Sequence, residues 1–122
     1  MGYYSDVAIM CGRRAFDMFK LAWERVDFKP SSIMLVRHTE DNPQFILRWE
    51  WVKWYQGYEN VAAIEKVMKQ LRNVDGDEYA YKCIIIGEDN STYEEYNDAG
   101  FLFDSSFCVV VDIELPEYTR ID

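Results

Sequence analysis

Hydrophobic and polar residues alternate in some stretches of the chain and recur every three or four residues in others. The alternation from Ser5 to Cys11 predicts a β-strand, because successive side chains of a strand point to opposite faces. From Arg13 to Val26 the apolar residues recur at helical spacing and charged residues take the opposite side, which predicts an amphipathic helix. A second helix is predicted from Val61 to Leu71, with Asn60 as its N-cap.

Five further strands are predicted around the second helix, at Ser32–His38, Phe45–Tyr55, Tyr79–Ile86, Thr92–Tyr96 and Phe107–Leu115. Turn-forming residues at 39–44 predict that the first two of these pair as an antiparallel hairpin. In the strand at 45–55 we expect the odd positions, including Trp49 and Trp51, to face the core, and Trp54 to lie on the other face. The order of elements predicts an α+β fold, with two helices packed on one face of a mainly antiparallel sheet. This is the ferredoxin-like βαββαβ arrangement with extra C-terminal strands.

Length and charge indicate the number of domains and the kinds of partner that the protein can bind. The 122 residues are enough for a single domain over 1–122, and the net charge of −9 argues against direct binding of nucleic acid or of an anionic membrane. The charge is unevenly spread: residues 1–74 hold 11 basic and 9 acidic groups, whereas residues 75–122 hold 2 basic and 13 acidic groups. This asymmetry predicts one electronegative surface, which either keeps the protein soluble or binds a basic partner.

The densest acidic stretch, residues 87–100, supplies most of the candidate binding residues. Its carboxylates are interspersed with tyrosines, and an aromatic side chain commonly anchors an interface. We expect the partner-binding residues to be Glu88, Asp89, Tyr93, Glu94, Glu95, Tyr96 and Asp98, together with Trp54 from the aromatic strand.

The sequence offers little catalytic chemistry. Its single histidine, His38, is interpreted as structural, and the chain has no phosphate-binding glycine motif, no nucleophile elbow and no close cysteine pair. We therefore predict a protein that is not an enzyme and uses no metal or cofactor. The cysteines Cys11, Cys83 and Cys108 lie in apolar runs and are expected to be reduced core residues of a cytoplasmic protein. Neither a signal peptide nor a membrane span is expected.

Three short stretches give the chain a resemblance to a group of small, mostly uncharacterised proteins encoded by bacteriophages and prophages. They are MGYYSDV at residues 1–7, WEWVKWY at residues 49–55 and GED at residues 87–89. The resemblance spans most of the chain and implies a place in the host cytoplasm, but it supplies no catalytic residues. Small acidic phage proteins include anti-CRISPR and anti-restriction inhibitors, which occupy the nucleic-acid-binding surfaces of host proteins.

Three hypotheses follow for the function. The first is a phage-type interaction protein whose acidic C-terminal surface binds a basic host protein as a nucleic-acid mimic, for instance to inhibit host defence. The second is a small-molecule-binding protein or hydrolase whose site lies at the aromatic strand and Tyr58. The third is a small virion or assembly component that forms a homo-oligomer.

Overall fold

A computed structural model describes residues 3–36, 43–55, 57–100 and 118–120. The elements in chain order are β1 (Ser5–Gly12), α1 (Arg13–Val26), β2 (Ser32–Val36), β3 (Gln44–Val52), α2 (Glu59–Leu71), β4 (Tyr81–Gly87), β5 (Thr92–Tyr96) and β6 (Tyr118–Arg120). Short 3₁₀ turns lie at Asp77–Tyr79 and Asp98–Gly100. In this part of the chain no helix has both the length and the apolar character needed to cross a membrane.

The strands form one sheet in the order β5-β4-β1-β3-β2-β6, and every neighbouring pair is antiparallel. The four inner strands have the order β4-β1-β3-β2 of the ferredoxin-like arrangement, with β5 and β6 added at the edges. The predicted α+β class and the predicted pairing of β2 with β3 are therefore confirmed. The predicted strand at residues 107–115 lies outside the described residues.

Both helices pack against one face of the sheet through their apolar sides. The main core joins α1 and α2 to the odd-numbered residues of the central strands, including Val7, Ile9, Leu47, Trp49 and Cys83. A smaller cluster on the opposite face contains Ala8, Met10, Ile46 and Ile84, which are also buried. The alternation of the strands therefore places apolar residues on both faces of the sheet centre.

Several predicted boundaries need correction. Strand β3 ends at Val52 and not at Tyr55, and β4 begins at Tyr81 because the preceding residues form a 3₁₀ turn. The N-cap of α2 is Tyr58, so the prediction of Asn60 as the cap was wrong. The bounds of α1 and β5 agree with those predicted. Cys11 and Cys83 are buried in the core, as expected, whereas Cys108 and His38 lie outside the described residues.

Buried Asn97 fixes β5 to the rest of the fold. Its amide nitrogen donates to the carbonyl oxygens of Leu71 at 3.1 Å and Tyr79 at 2.8 Å. Its carbonyl oxygen accepts from the backbone N–H groups of Tyr81 at 3.1 Å and Gly100 at 2.9 Å. One side chain thereby satisfies four backbone groups from four segments, which matters because an unpaired buried polar group costs about 1–3 kcal/mol.

Candidate functional site

Strands β4 and β5 and the residues around them form the acidic hairpin, which we define as residues 81–98. A tight turn joins the strands: the N–H of Asn90 donates to the carbonyl oxygen of Gly87 at 2.9 Å. Asn90 has a φ of 67°, a left-handed conformation that asparagine tolerates better than most residues. Glu88 and Asp89 are exposed within this turn. The structure therefore brings these two candidate carboxylates together.

Residues just before β1 hold the turn in place. The N–H of Tyr4 donates to Oε1 of Glu88 at 3.3 Å, and the N–H of Glu88 donates to the carbonyl oxygen of Tyr4 at 3.0 Å. Asp89 accepts from the Tyr3 hydroxyl and from the N–H of Ser91. These hydrogen bonds, that from Tyr3 first, lower the pKa of Asp89 to about 2. The turn therefore holds two exposed carboxyl groups on a backbone that is hydrogen-bonded to the residues before β1.

Glu94 and Glu95 are adjacent on β5 and point to opposite faces of the sheet. Glu95 lies opposite Cys83 on the helix side, and Glu94 lies opposite Ile84 on the other side. Glu94 is exposed, whereas Glu95 is partly buried. Glu95 cannot join Glu94 in one continuous acidic patch.

The carboxylate of Glu95 is already engaged within the molecule. It accepts from the hydroxyls of Tyr81 at 3.0 Å and Tyr93 at 3.2 Å, and it forms an ion pair with Arg72 at 3.4 Å. Burial, followed by the interaction with Glu95, raises the pKa of Tyr81 and of Tyr93, and the hydrogen bond to Glu95 raises the pKa of Arg72. Glu95 also contributes, after burial, to the raised pKa of Glu65 on α2. These contacts give Glu95 a structural role.

The remaining candidates on β5 and after it are exposed but dispersed. Tyr93 lies on the helix side with Glu95, and Tyr96 lies on the opposite side, where the Lys82 ammonium is 5.4 Å from the centre of its ring. Asp98 is exposed in the following 3₁₀ turn. Sequence proximity therefore overstated how closely the acidic residues cluster in space.

The predicted positions of two tryptophans were wrong. Trp54 does not lie on the outer face: it packs on the helix-side core, with ring centres 5.7 Å from Trp49 and 5.9 Å from Phe28. Trp51, expected in the core, is 56% exposed. The reason is local, because Trp51 has a φ of 51° and the register between β1 and β3 shifts at this point. The left-handed residue interrupts the alternation that the pattern of apolar residues implied.

Trp51 and Tyr4 form an aromatic pair that sequence reasoning missed. Their rings are stacked, with centres 5.5 Å apart and an interplanar angle of 4°. Asp6 holds the backbone by accepting from the N–H of Trp51 at 2.8 Å. Since Tyr4 is also bonded to Glu88, the aromatic pair and the acidic turn lie at the same end of the sheet. A hint was available in the sequence, since four aromatic residues fall within residues 49–55.

Other kinds of site find less support in the described residues. Within them no three His, Cys, Asp or Glu side chains are arranged to hold a metal ion. An open depression of about 680 Å³ lies beside Tyr58, between the end of α1 and the start of α2. It is lined by Arg25, Val26, Asp27, Gly57, Tyr58, Glu59 and Asn60. The tryptophans of the aromatic strand do not line it, so the predicted small-molecule site at that strand is not formed by this depression.

Comparison with protein families, with curated proteins and with solved structures found no significant match to this chain. What is established is the class: an α+β protein with two helices packed on an antiparallel sheet.

Proposed function

We propose that the protein is a non-catalytic interaction protein whose acidic hairpin docks onto a basic protein. One observation carries the proposal: Glu88 and Asp89 are exposed on a turn that hydrogen bonds from Tyr3 and Tyr4 hold in place. The exposed carboxylates of Glu94 and Asp98 extend the negative charge along the hairpin. The sequence has no lysine or arginine between Lys82 and Arg120 to neutralise this charge.

Fixed carboxylates suit a nucleic-acid mimic. A protein that grips phosphates presents lysine and arginine side chains in a groove, and a carboxylate array placed there makes comparable charge-assisted contacts. Rigid support matters because a surface that is already ordered loses less conformational entropy on binding. The hairpin meets this requirement at its turn, through the hydrogen bonds to Tyr3 and Tyr4.

The identity of the partner in this proposal rests on the sequence resemblance to phage proteins. A small acidic phage protein in the host cytoplasm would meet host nucleic-acid-binding proteins, including those of CRISPR and restriction systems. We therefore propose a basic defence protein as the partner, with the acidic hairpin covering its nucleic-acid-binding surface.

Affinity capture from a bacterial host lysate, at low and high salt, tests the proposal. The test variant is Glu94→Lys with Asp98→Lys, because neither side chain forms a hydrogen bond or an ion pair within the part of the chain that the structure describes. Glu95 is left unchanged, since its reversal would disturb Arg72 and Tyr81. The matched control reverses two exposed acids of α1, Asp17→Lys and Glu24→Lys, and so makes the same change in net charge.

We expect the native protein and the α1 control to retain the same basic nucleic-acid-binding proteins at low salt and to release them at high salt. The hairpin variant should lose them, because short-range charge pairing at the interface is reversed. Equal loss in both variants would show that only net charge matters. Equal retention in all three proteins would exclude Glu94 and Asp98 from the interface and contradict a docking surface that runs along the hairpin.

A further inference from the structure

Trp51 combines two features that seldom occur together. It is a bulky residue with a left-handed backbone, and its large side chain is more than half exposed. A bulky non-glycine residue in this conformation is strained, and such strain is found preferentially at functional sites. Burial does not offset this strain, because Trp51 is 56% exposed. The fold therefore holds a strained backbone at a position whose indole forms part of the surface.

The contacts around Trp51 fix the orientation of that surface. Asp6 on β1 accepts the N–H of Trp51 at 2.8 Å, which holds the backbone in its unusual conformation. The ring of Tyr4 lies parallel to the indole and supports it from one side. Tyr4 is in turn held by two hydrogen bonds with Glu88: its N–H donates to the carboxylate, and its carbonyl oxygen accepts from the N–H of Glu88. The aromatic pair is thus rigidly joined to the acidic turn.

The chain already places a cation on this aromatic pair. The ammonium nitrogen of Lys53 lies 5.6 Å from the centre of the Tyr4 ring, within the range of a cation–π contact. Negative charge lies at the same end of the sheet, because the carboxylate of Glu88 accepts the backbone N–H of Tyr4. A flat ring surface suits a planar guanidinium better than a compact ammonium, since the guanidinium can stack on the ring while its N–H groups pair with carboxylates.

We propose that Tyr4 and Trp51 form the docking site for an arginine side chain of the basic partner. The guanidinium stacks on the exposed indole, and the carboxylates of the acidic turn at the same end of the sheet attract its charge. This inference rests on the proposed function and deepens it, because it names the side chain that the partner must supply. It also moves the aromatic anchor of the interface from Trp54 to Trp51.

The test is an NMR titration of the ¹⁵N-labelled protein with the peptide acetyl-Gly-Arg-Gly-Arg-Gly-amide. Citrulline replaces arginine in the control peptide, which keeps the shape and removes the charge. The protein variants are Trp51→Ala and, as a control for an exposed aromatic residue elsewhere, Tyr58→Ala, since Tyr58 is 43% exposed. Amide spectra of each variant show whether the fold is kept.

We expect the arginine peptide to shift the indole N–H signal of Trp51, and the citrulline peptide to leave it in place. Trp51→Ala should weaken binding of the arginine peptide about fivefold or more, the size of a partly desolvated cation–π contact, and Tyr58→Ala should not. Should Trp51→Ala unfold the protein, Trp51→Phe serves instead and should weaken binding to a smaller degree.

Equal binding of the citrulline peptide, or unchanged affinity in Trp51→Ala, would overturn the inference. So would an indole signal that shifts with protein concentration alone, because the occupant would then be a second copy of the chain. If the peptide shifts only the amide signals of Glu94 and Asp98, the arginine site at Trp51 is wrong while the proposed function stands. Absence of peptide binding, together with lysate capture that does not differ between the variants, would contradict both the arginine site and the proposed function.

Discussion

Trp49 and Trp51 are separated by one residue on β3 and lie in opposite surroundings. Trp49 is 1% exposed and packs against the rings of Trp23, Phe28 and Trp54. Its indole N–H donates to the carbonyl oxygen of Phe28 at 3.0 Å. Trp51 is 56% exposed, and its only described ring partner is Tyr4. Although the sequence pattern assigned both tryptophans to the core face, Trp49 stabilises the core and Trp51 contributes an aromatic ring to the surface.

Glu94 and Glu95 show the same contrast between an exposed and an inward-facing side chain, here for charged residues. One carboxylate is bound by two tyrosine hydroxyls and a guanidinium, and the other is exposed. In both pairs, the direction of the side chain relative to the sheet decides its role. Substitutions at matched positions should therefore separate effects on folding from effects on binding.

The largest effect is expected for Trp49→Ala. It removes a buried indole and leaves the carbonyl oxygen of Phe28 without its partner, so the free energy of unfolding should fall by about 3–5 kcal/mol. Trp51→Ala should change it by no more than about 1 kcal/mol, because the indole is mostly exposed. Urea unfolding followed by circular dichroism measures both values, and similar losses would contradict the assignment of the two roles.

A smaller difference is expected between Glu95→Ala and Glu94→Ala. The first removes the acceptor of Tyr81 and Tyr93 and the partner of Arg72, so it should cost about 1–3 kcal/mol in unfolding free energy. The second should change stability by less than about 0.5 kcal/mol. Thermal unfolding of the two variants at equal pH compares them, and an equal loss would show that Glu95 is not a structural group.

Glycine and alanine at position 51 should reverse their usual order in a strand. Glycine normally destabilises a strand relative to alanine, but it adopts a positive φ without steric cost. Trp51→Gly should therefore be more stable than Trp51→Ala by about 1 kcal/mol. Chemical denaturation of both variants checks this order. A less stable glycine variant would mean that residue 51 relaxes to an ordinary strand conformation when the indole is removed.

The smallest effect concerns the turn of the acidic hairpin. Tyr3→Phe removes the hydroxyl that donates to Asp89, so the pKa of that carboxyl should rise from about 2 towards its ordinary value of 3.8. A lowered pKa means that the interaction stabilises the fold fully above pH 3.8 and is lost as the pH falls through about 2. An NMR titration of the side-chain carboxyl measures the change, with Tyr58→Phe as control.

Between pH 4 and pH 2, the native protein should therefore lose slightly more stability than the Tyr3→Phe variant. An Asp89 pKa that is the same in both proteins would show that Ser91 alone holds the carboxylate.

The sequence pattern was sufficient for the elements whose periodicity is regular. The amphipathic spacing of α1 and the turn residues around β5 located both correctly, and the order of elements indicated the α+β class. The pattern failed at Trp51 because alternation assumes an extended backbone at every position. The left-handed turn there is stabilised by Asp6 on another strand, a contact that periodicity along one segment cannot reveal.

The position of the acidic residues was predictable in part. Because neighbouring residues of a strand point to opposite faces, Glu94 and Glu95 could have been assigned to different surfaces once β5 was predicted. Which of them lies inwards could not, since this depends on Arg72 and Tyr81 reaching the same edge of the sheet. The support of the turn by Tyr3 and Tyr4 likewise requires the pairing of β1 with β4.

Asn97 links the acidic hairpin to the C-terminal end of α2, so binding at the hairpin should affect that helix end. The carbonyl oxygen of Leu71 at the C-terminal end of α2 accepts from the Asn97 amide and from the N–H of Val74, so detachment of β5 removes one of these two hydrogen bonds. We therefore expect opening of the hairpin to increase fraying of that helix end. A partner that binds β5 should therefore slow amide hydrogen exchange near the C-terminal end of α2, even though the partner does not contact that helix.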